Sequence, residues 1–195
     1  QSSRVNFYAR QRIVEFVDTD YVKKTEFKTD SFAVRIQGVN LEAPRNFCLK
    51  VMPAEGYEAS PELQLADKYT FSALDTVCQT YYYRVKRPEL KRGNKAFGCL
   101  VAFDQANPNH QFDKGLVELN QMLVNVRWQL RPYNWDEGDW GEYSDAKYIY
   151  MMDVLGKDYS QLTYDDFDTV SKAYEAYLAA GKPAIVDDKG MPISF

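Results

Sequence analysis

Between Gln121 and Leu130 every second residue is large and apolar: Met122, Val124, Val126, Trp128 and Leu130. Successive side chains of a strand point to opposite faces, so a period of two marks a strand with one face buried. An amphipathic helix repeats every 3.6 residues and cannot gather these positions on one side. The same period recurs along the chain. Phe32, Val34 and Ile36 share a face within Ser31–Val39, with Ala33, Arg35 and Gln37 opposite. Tyr81, Tyr83 and Val85 share one within Gln79–Lys86, and Phe97, Cys99, Val101 and Phe103 within Ala96–Phe103. Arg12–Val17 is a first strand and Lys68–Ser72 a short one. Asn46–Met52 sets Phe47, Leu49 and Val51 on one face until Pro53-Ala54-Glu55-Gly56 ends it. Gly38 is placed for a bulge or a close backbone approach. Arg92-Gly93-Asn94 makes the turn into Ala96–Phe103.

About seven strands separated by short, turn-rich gaps are the pattern of an all-β sandwich. No helical stretch separates them, so there is nothing to form parallel crossovers. The expected fold is mainly β: an antiparallel immunoglobulin-like or Calx-β-like sandwich over residues 1–132, closed by Arg131-Pro132, followed by a small C-terminal α-helical region.

Residues 133–195 change character. Tyr133–Gly141 is a Gly-containing, acidic and aromatic connector. Ser144 is a good N-cap for a helix through Leu155, with Gly156 in the position that favours a left-handed residue. Tyr148, Met151, Met152 and Leu155 recur at helical spacing. Thr163 caps a second helix, with Asp165 and Asp166 in the first turn, where the helix dipole favours them. Its apolar stripe is Phe167, Val170, Tyr174, Tyr177 and Leu178, and Gly181-Lys182-Pro183 stops it. A turn-like Asp187-Asp188-Lys189-Gly190 predicts a short hairpin in the tail. Neither helix is long enough to be stable alone in water, so both must pack.

The 195 residues can bury a core without a metal or disulfide staple. A net charge of -4 leaves no basic stripe for a phosphate backbone, and no nucleic-acid partner is expected. The densest basic cluster, Arg84, Lys86, Arg87, Lys91, Arg92 and Lys95, lies at a strand end and a turn, where charge protects an edge. Three cysteines, Cys48, Cys78 and Cys99, exclude a dense disulfide framework. Alternation buries Cys99 as a small hydrophobe. A single Cys48–Cys78 disulfide stays open. The sequence carries no signal peptide or membrane-spanning run. Its abrupt Gln1-Ser2-Ser3 start fits a trimmed chain.

Catalytic chemistry finds little support. A Ser-His-Asp or Cys-His arrangement would have to use His110, the single histidine, and nothing near it marks a nucleophile. His110 reads instead as a polar turn residue beside the anchor Phe112. One histidine and three scattered cysteines do not make a zinc site. Asp165, Asp166 and Asp168 belong to a helix start. Asp136, Glu137, Asp139 and Glu142 leave a sugar- or Ca²⁺-binding loop open, without EF-hand spacing. No cofactor and no enzymatic activity are expected. The binding candidates are Tyr133, Trp135, Trp140 and Tyr143, because Trp and Tyr stack on sugars and peptides and dominate interface hot spots. Either these rings bind a ligand or partner, or they seal the sandwich against the helices. Trp128 belongs with the inward strand face.

Several segments stand in a telling order: Val5-Asn6-Phe7, Phe32–Gly38, Arg45–Val51, Tyr69-Thr70-Phe71 and Val85–Leu90. Leu100–Phe103, Asn109–Gly115 with Phe112, and Trp140–Gly156 with Lys147 follow. In this order the chain resembles a family of Bacteroidota domain-of-unknown-function surface lipoproteins encoded beside SusC/SusD-type outer-membrane nutrient importers. The resemblance covers most of the chain, through motifs that are individually loose. It implies a sandwich with a helical tail, anchored by a lipid on a lipobox cysteine upstream of residue 1 and exposed on the outer-membrane surface. It further implies an accessory subunit that partners SusC/SusD-like importer subunits and captures oligosaccharide or peptide. The family brings no catalytic residues. A free-standing glycan- or peptide-binding protein is the alternative, and a hydrolase the weakest reading.

Overall fold

The computed structural model describes residues 3–90 and 96–195. The expected turn Arg92-Gly93-Asn94 and the basic residues Lys91, Arg92 and Lys95 lie outside the described residues. The chain forms two compact units, each discontinuous in sequence. The first comprises residues 3–15, Glu26–Glu89 and Ala96–Arg127. The second comprises Phe16–Thr25, Leu90 and Trp128–Phe195. A segment near the start of the chain, Phe16–Thr25, thus groups with Trp128–Phe195.

The strands are β1 (Arg4–Phe7), β2 (Gln11–Val17), β3 (Phe27–Gln37), β4 (Arg45–Phe47), β5 (Leu49–Pro53), β6 (Leu63–Gln64), β7 (Tyr69–Phe71), β8 (Cys78–Lys86), β9 (Ala96–Phe103), β10 (Asp113–Lys114) and β11 (Gln121–Gln129). One sheet has the order β10-β1-β3-β8-β6, a second β2-β11-β9-β5, and β4 pairs with β7 as a ribbon. The expected alternation holds where strands are long. Phe32, Val34, Ile36, Tyr81, Tyr83, Val85, Met122, Val124, Val126 and Trp128 are all buried, as is Cys99 with its face. The chain is therefore mainly β, with two sandwich-like sheets and a C-terminal helix. Phe7 of the first sheet stacks on Phe103 of the second, with ring centroids 4.3 Å apart. Arg12 of β2 grips Asp30 of β3 through two hydrogen bonds of 2.9 and 3.1 Å, and the Tyr83 hydroxyl donates to the same carboxylate. These contacts hold Asp30 ionised, against the cost of its burial, and its pKa is lowered.

Four expectations are corrected. β1 pairs with β10 in parallel, Arg4 facing Asp113, so the sheet is not purely antiparallel. A helix, α1 (Asp18–Lys23), separates β2 from β3. Gly38 does take a positive φ of 107°, but nothing lies within 4 Å of where its Cβ would be, so it serves the turn after β3 and no close approach. The expected strand Asn46–Met52 is broken at Cys48: β4 pairs with β7, whereas β5 pairs with β9. Changing sheets cancels the alternation. Phe47 is fully buried among Tyr69, Tyr81 and Phe103, while Val51 is exposed. The thiols of Cys48, Cys78 and Cys99 are free, so Cys48 and Cys78 do not pair.

His110 pins the break at Cys48. Its Nδ1 accepts the Cys48 backbone N–H at 3.0 Å, and the Cys48 carbonyl accepts from Asp104 N–H at 2.8 Å. An Nδ1 that accepts cannot carry a proton, so the imidazole is neutral here. Burial lowers its pKa further, with Asp104 opposing.

The second unit contains α1, α2 (Glu137–Trp140), α3 (Asp145–Leu155) and α4 (Tyr164–Ala179). Ser144 caps α3 by accepting the Lys147 N–H at 3.1 Å, and Gly156 ends it in the left-handed conformation, as expected. α4 follows Thr163, whose N–H donates to Asp166 at 2.7 Å; Lys157 pairs with that carboxylate at 3.1 Å. Val170 and Tyr174 of its stripe are buried, but Leu178 is exposed. No helix among the described residues is long and apolar enough to cross a membrane.

The His110 contact sets a pH dependence. Its folded-state pKa lies below the ordinary value of 6.5, so the unfolded chain gains a proton first as pH falls. Stability is then fully present above pH 6.5, declines below it and levels once the pH passes the folded-state value. Urea unfolding across pH 4.5–7.5 should show this decline, and His110→Asn should flatten it. An unchanged slope in the variant would assign the decline elsewhere.

Candidate functional site

Where β11 ends, the chain turns into a knot built on one indole. Trp135 stacks on Tyr159 with ring centroids 5.4 Å apart and meets Tyr143 and Tyr148 edge-on at 5.0 and 5.7 Å. Its Nε1–H donates to the Gly141 carbonyl at 2.9 Å, so the one polar atom of the ring is satisfied. Asp136 caps the single turn of α2 by accepting from Asp139 N–H at 3.1 Å. Gly141 takes a φ of 79°, and a Cβ there would stand 2.8 Å from Lys147 Nζ. Glycine therefore lets the connector lie against the buried Lys147. Tyr148, fully buried on α3, donates its hydroxyl to Asp18 of α1 at 2.6 Å and accepts the Tyr159 N–H at 2.7 Å. Trp128 packs near Phe16 and Tyr21, at 5.7 and 6.2 Å. These contacts explain why residues around α1 belong to this unit.

The four sequence-derived candidates thus part company. Trp135 and Trp140 are buried, with relative exposures of 9% and 7%. The Trp140 ring packs on Phe167 of α4 at 6.0 Å. Tyr133 is fully exposed. Tyr143 is half-buried and lines a groove of about 320 Å³. Trp128–Arg131, which straddle the end of β11, line that groove together with Glu142–Asp145 and Asp187–Lys189. The structure brings Tyr143 to this groove, sets Trp135 edge-on against its ring and packs Trp140 on α4.

The groove carries both charges. Glu142, Asp145, Asp187 and Asp188 line it together with Arg131 and Lys189. The Arg131 guanidinium lies 5.1 Å from the Tyr143 ring centroid, within cation–π range. The Tyr143 hydroxyl donates to Asp145 at 2.5 Å. Burial and that carboxylate raise the phenol's pKa, which keeps its proton in place. Lys147, just beyond, has its pKa lowered by burial, with Glu142 opposing, and its Nζ lies 5.0 Å from the Phe195 ring centroid. A held phenol, a guanidinium and carboxylates recognise hydroxyls and amides by hydrogen bonding, and the ring supplies an apolar face.

Spacing alone could not find this lining. Asp187–Lys189 are more than forty residues from Tyr143 in sequence, as the numbers show. The turn-like tetrapeptide was the one available signal, and the hairpin it predicts does form, through a Val186–Pro192 bridge. Of the acidic candidates, Asp136 is spent on the α2 cap, Asp166 on α4 and Asp168 on Lys172. His110 lies in the other unit, against a backbone N–H.

Comparison with protein families and with characterised proteins finds no match. Among solved structures, the chain is similar to the Calx CBD1 domain, at 9% identity and a TM-score of 0.43, over 66% of this chain and 99% of that one. It is similar to a candidate carbohydrate-binding protein from Bacteroides ovatus, at 14% identity and a TM-score of 0.43, over 64% of this chain. A two-domain protein of unknown function from Bacteroides fragilis follows, at 10% identity and a TM-score of 0.41, over 67% of this chain. The chain spans 36% and 47% of the lengths of those two proteins. Likenesses this distant bring no function to this chain.

Replacing Trp135 tests the knot. Trp135→Ala empties a ring-sized site and should cost about 3–5 kcal/mol. Trp135→Phe should cost less, about 1–2 kcal/mol, chiefly for the lost bond to Gly141. Urea titration followed by near-UV circular dichroism measures both. Costs under about 0.5 kcal/mol, the range of neutral surface changes, would show that the indole does not hold the connector.

Proposed function

We propose that this chain is a non-enzymatic binding module: a lipid-anchored outer-membrane surface protein, accessory to a SusC/SusD-like import complex, that captures oligosaccharide or peptide. The observation that carries the reading is the groove beside Tyr143. A half-buried ring, a guanidinium 5.1 Å from it and flanking carboxylates on ordered backbone are the elements of a polar-ligand site. The volume of about 320 Å³ falls at the small end of ligand pockets. The order of segments shared with the importer-associated lipoproteins supports the cellular setting. We assign no nucleophile or general base to the groove, whose phenol keeps its proton.

A free-standing glycan- or peptide-binding protein would use the same groove, and the two readings part at the level of assembly. Two measurements test the proposal. Isothermal calorimetry against neutral oligosaccharide and short-peptide panels should yield a ligand whose affinity falls about tenfold or more in Tyr143→Ala, the scale of a stacked aromatic contact. Unaltered affinity would remove the groove as the site. Mild-detergent purification from native membranes should recover importer subunits with this chain. Recovery of the chain alone would favour the free-standing reading.

A further inference from the structure

One side of the groove is the hairpin Ile185–Ile193, whose tip is Asp187–Lys189. The hairpin holds its own shape. Asp187 N–H donates to Met191 O at 2.8 Å, Ile193 N–H to Ile185 O at 2.9 Å, and Gly190 N–H to Asp187 O at 3.0 Å. The Asp187 carboxylate also accepts the backbone N–H groups of Lys189 and Met191 at 2.9 Å. A two-stranded hairpin is at best marginally stable by itself, so these bonds last only while its base stays fastened, and release of the base exposes its amides.

The base of the hairpin is fastened to the helices by side chains. Ile185 N–H donates to the Tyr174 hydroxyl at 3.1 Å, and the Tyr177 hydroxyl donates to Pro183 O at 2.9 Å. Ile193 is buried. The Phe195 ring lies 5.6 Å from Tyr174 and 5.9 Å from Tyr150, and Lys147 Nζ points at its face. Gly181, with a φ of 81°, turns the chain just before this base. Tip and fastening are thus separated: the tip walls the groove, and the aromatic catch sits at the base.

We infer that the hairpin is a strap that swings about the Gly181–Pro183 segment and opens or closes the groove, with the Phe195 ring as its catch. The inference rests on the groove being the ligand site proposed above. It gives that site a way to take long ligands. A closed groove of about 320 Å³ holds only a short part of an extended chain, whereas a groove missing one wall lets both ends run out. Segments that move for binding are drawn from the least stable parts of a fold, and a two-stranded hairpin closed by side chains is such a part.

Amide hydrogen exchange on the ligand-free chain tests the strap. The Asp187 and Ile193 amides should exchange by local opening, faster than the Val170 and Tyr174 amides of α4. Phe195→Ala should speed the two hairpin amides about tenfold or more and leave the α4 amides unchanged. Tyr174→Phe, which deletes one hydroxyl and keeps the ring, should speed exchange at Ile185 and Ile193. The strap is overturned if hairpin and α4 amides exchange together in the wild-type chain. It is equally overturned if neither variant moves the hairpin amides, or if hairpin and α4 amides accelerate by the same factor in Tyr174→Phe. Those outcomes leave the effect of Tyr143→Ala on ligand affinity intact, so failure of the strap and failure of the site are told apart.

Discussion

In the first unit, the passage from β4 to β5 depends on one hydrogen bond from backbone to side chain, from Cys48 N–H to His110 Nδ1. It stands where the chain leaves the β4–β7 ribbon and enters the second sheet with a single residue between. A strand end that turns away from its ladder leaves a donor in the interior, and a buried donor without a partner costs about 1–3 kcal/mol. The imidazole takes that donor, the Asp104 N–H donates to the Cys48 carbonyl, and Gln111 pairs with both backbone groups of Asn46. With the junction satisfied, Phe47 is free to point into the interior. There it reaches Tyr69, Tyr81 and Phe103, and the cluster runs on through Phe32 and Phe7. The histidine is the most chemically suggestive residue in the chain, and its chemistry is used to hold a fold.

What the sequence made legible follows from how local each signal is. The caps of α3 are local: Ser144 and Gly156 name the helix ends, and both ends are found there. The long strands are nearly as legible, because nine residues of period two outweigh any local preference. Asn46–Met52 shows the limit. Its alternation of Phe47, Leu49 and Val51 is the pattern of one strand, yet the face flips at Cys48 because a residue sixty-two positions away holds the break. α1 was illegible for another reason. Its six residues hold too few apolar positions for a helical period, and Asp20 anchors its start by accepting the Val17 N–H. The parallel β1–β10 pair spans two residues on one side, too short to leave a pattern.

The aromatic connector was legible as important but not as to role. Trp135, Trp140 and Tyr143 have the same composition signature whether they bind or pack. The geometry separates them through hydrogen bonding. The Trp135 indole is satisfied by a carbonyl only six residues on, and such a closed loop turns the ring inward. Tyr143 meets Asp145 two residues on, which holds its hydroxyl along the chain and leaves part of the ring at the groove. The exposed Tyr133 has no such closure.

The groove's ring is held by Trp135, although that indole does not line the groove. A recognition ring must be rigid, since a mobile side chain loses affinity to the entropy of ordering it. Tyr143 is held on one side by Trp135 edge-on at 5.0 Å, and on another by Arg131. Trp135 is held in turn by Tyr159 and Tyr148, and Tyr148 is tied to Asp18 of α1. The groove's ring is thus the last member of a packed series that begins at the start of α1. That series gives a short early segment a reason to sit with the C-terminal half of the chain. Under the proposed strap, rigidity lies in the aromatic stack behind Tyr143 and movement in the hairpin fastened by side chains. A site built this way can keep the geometry of its contacts while its width changes.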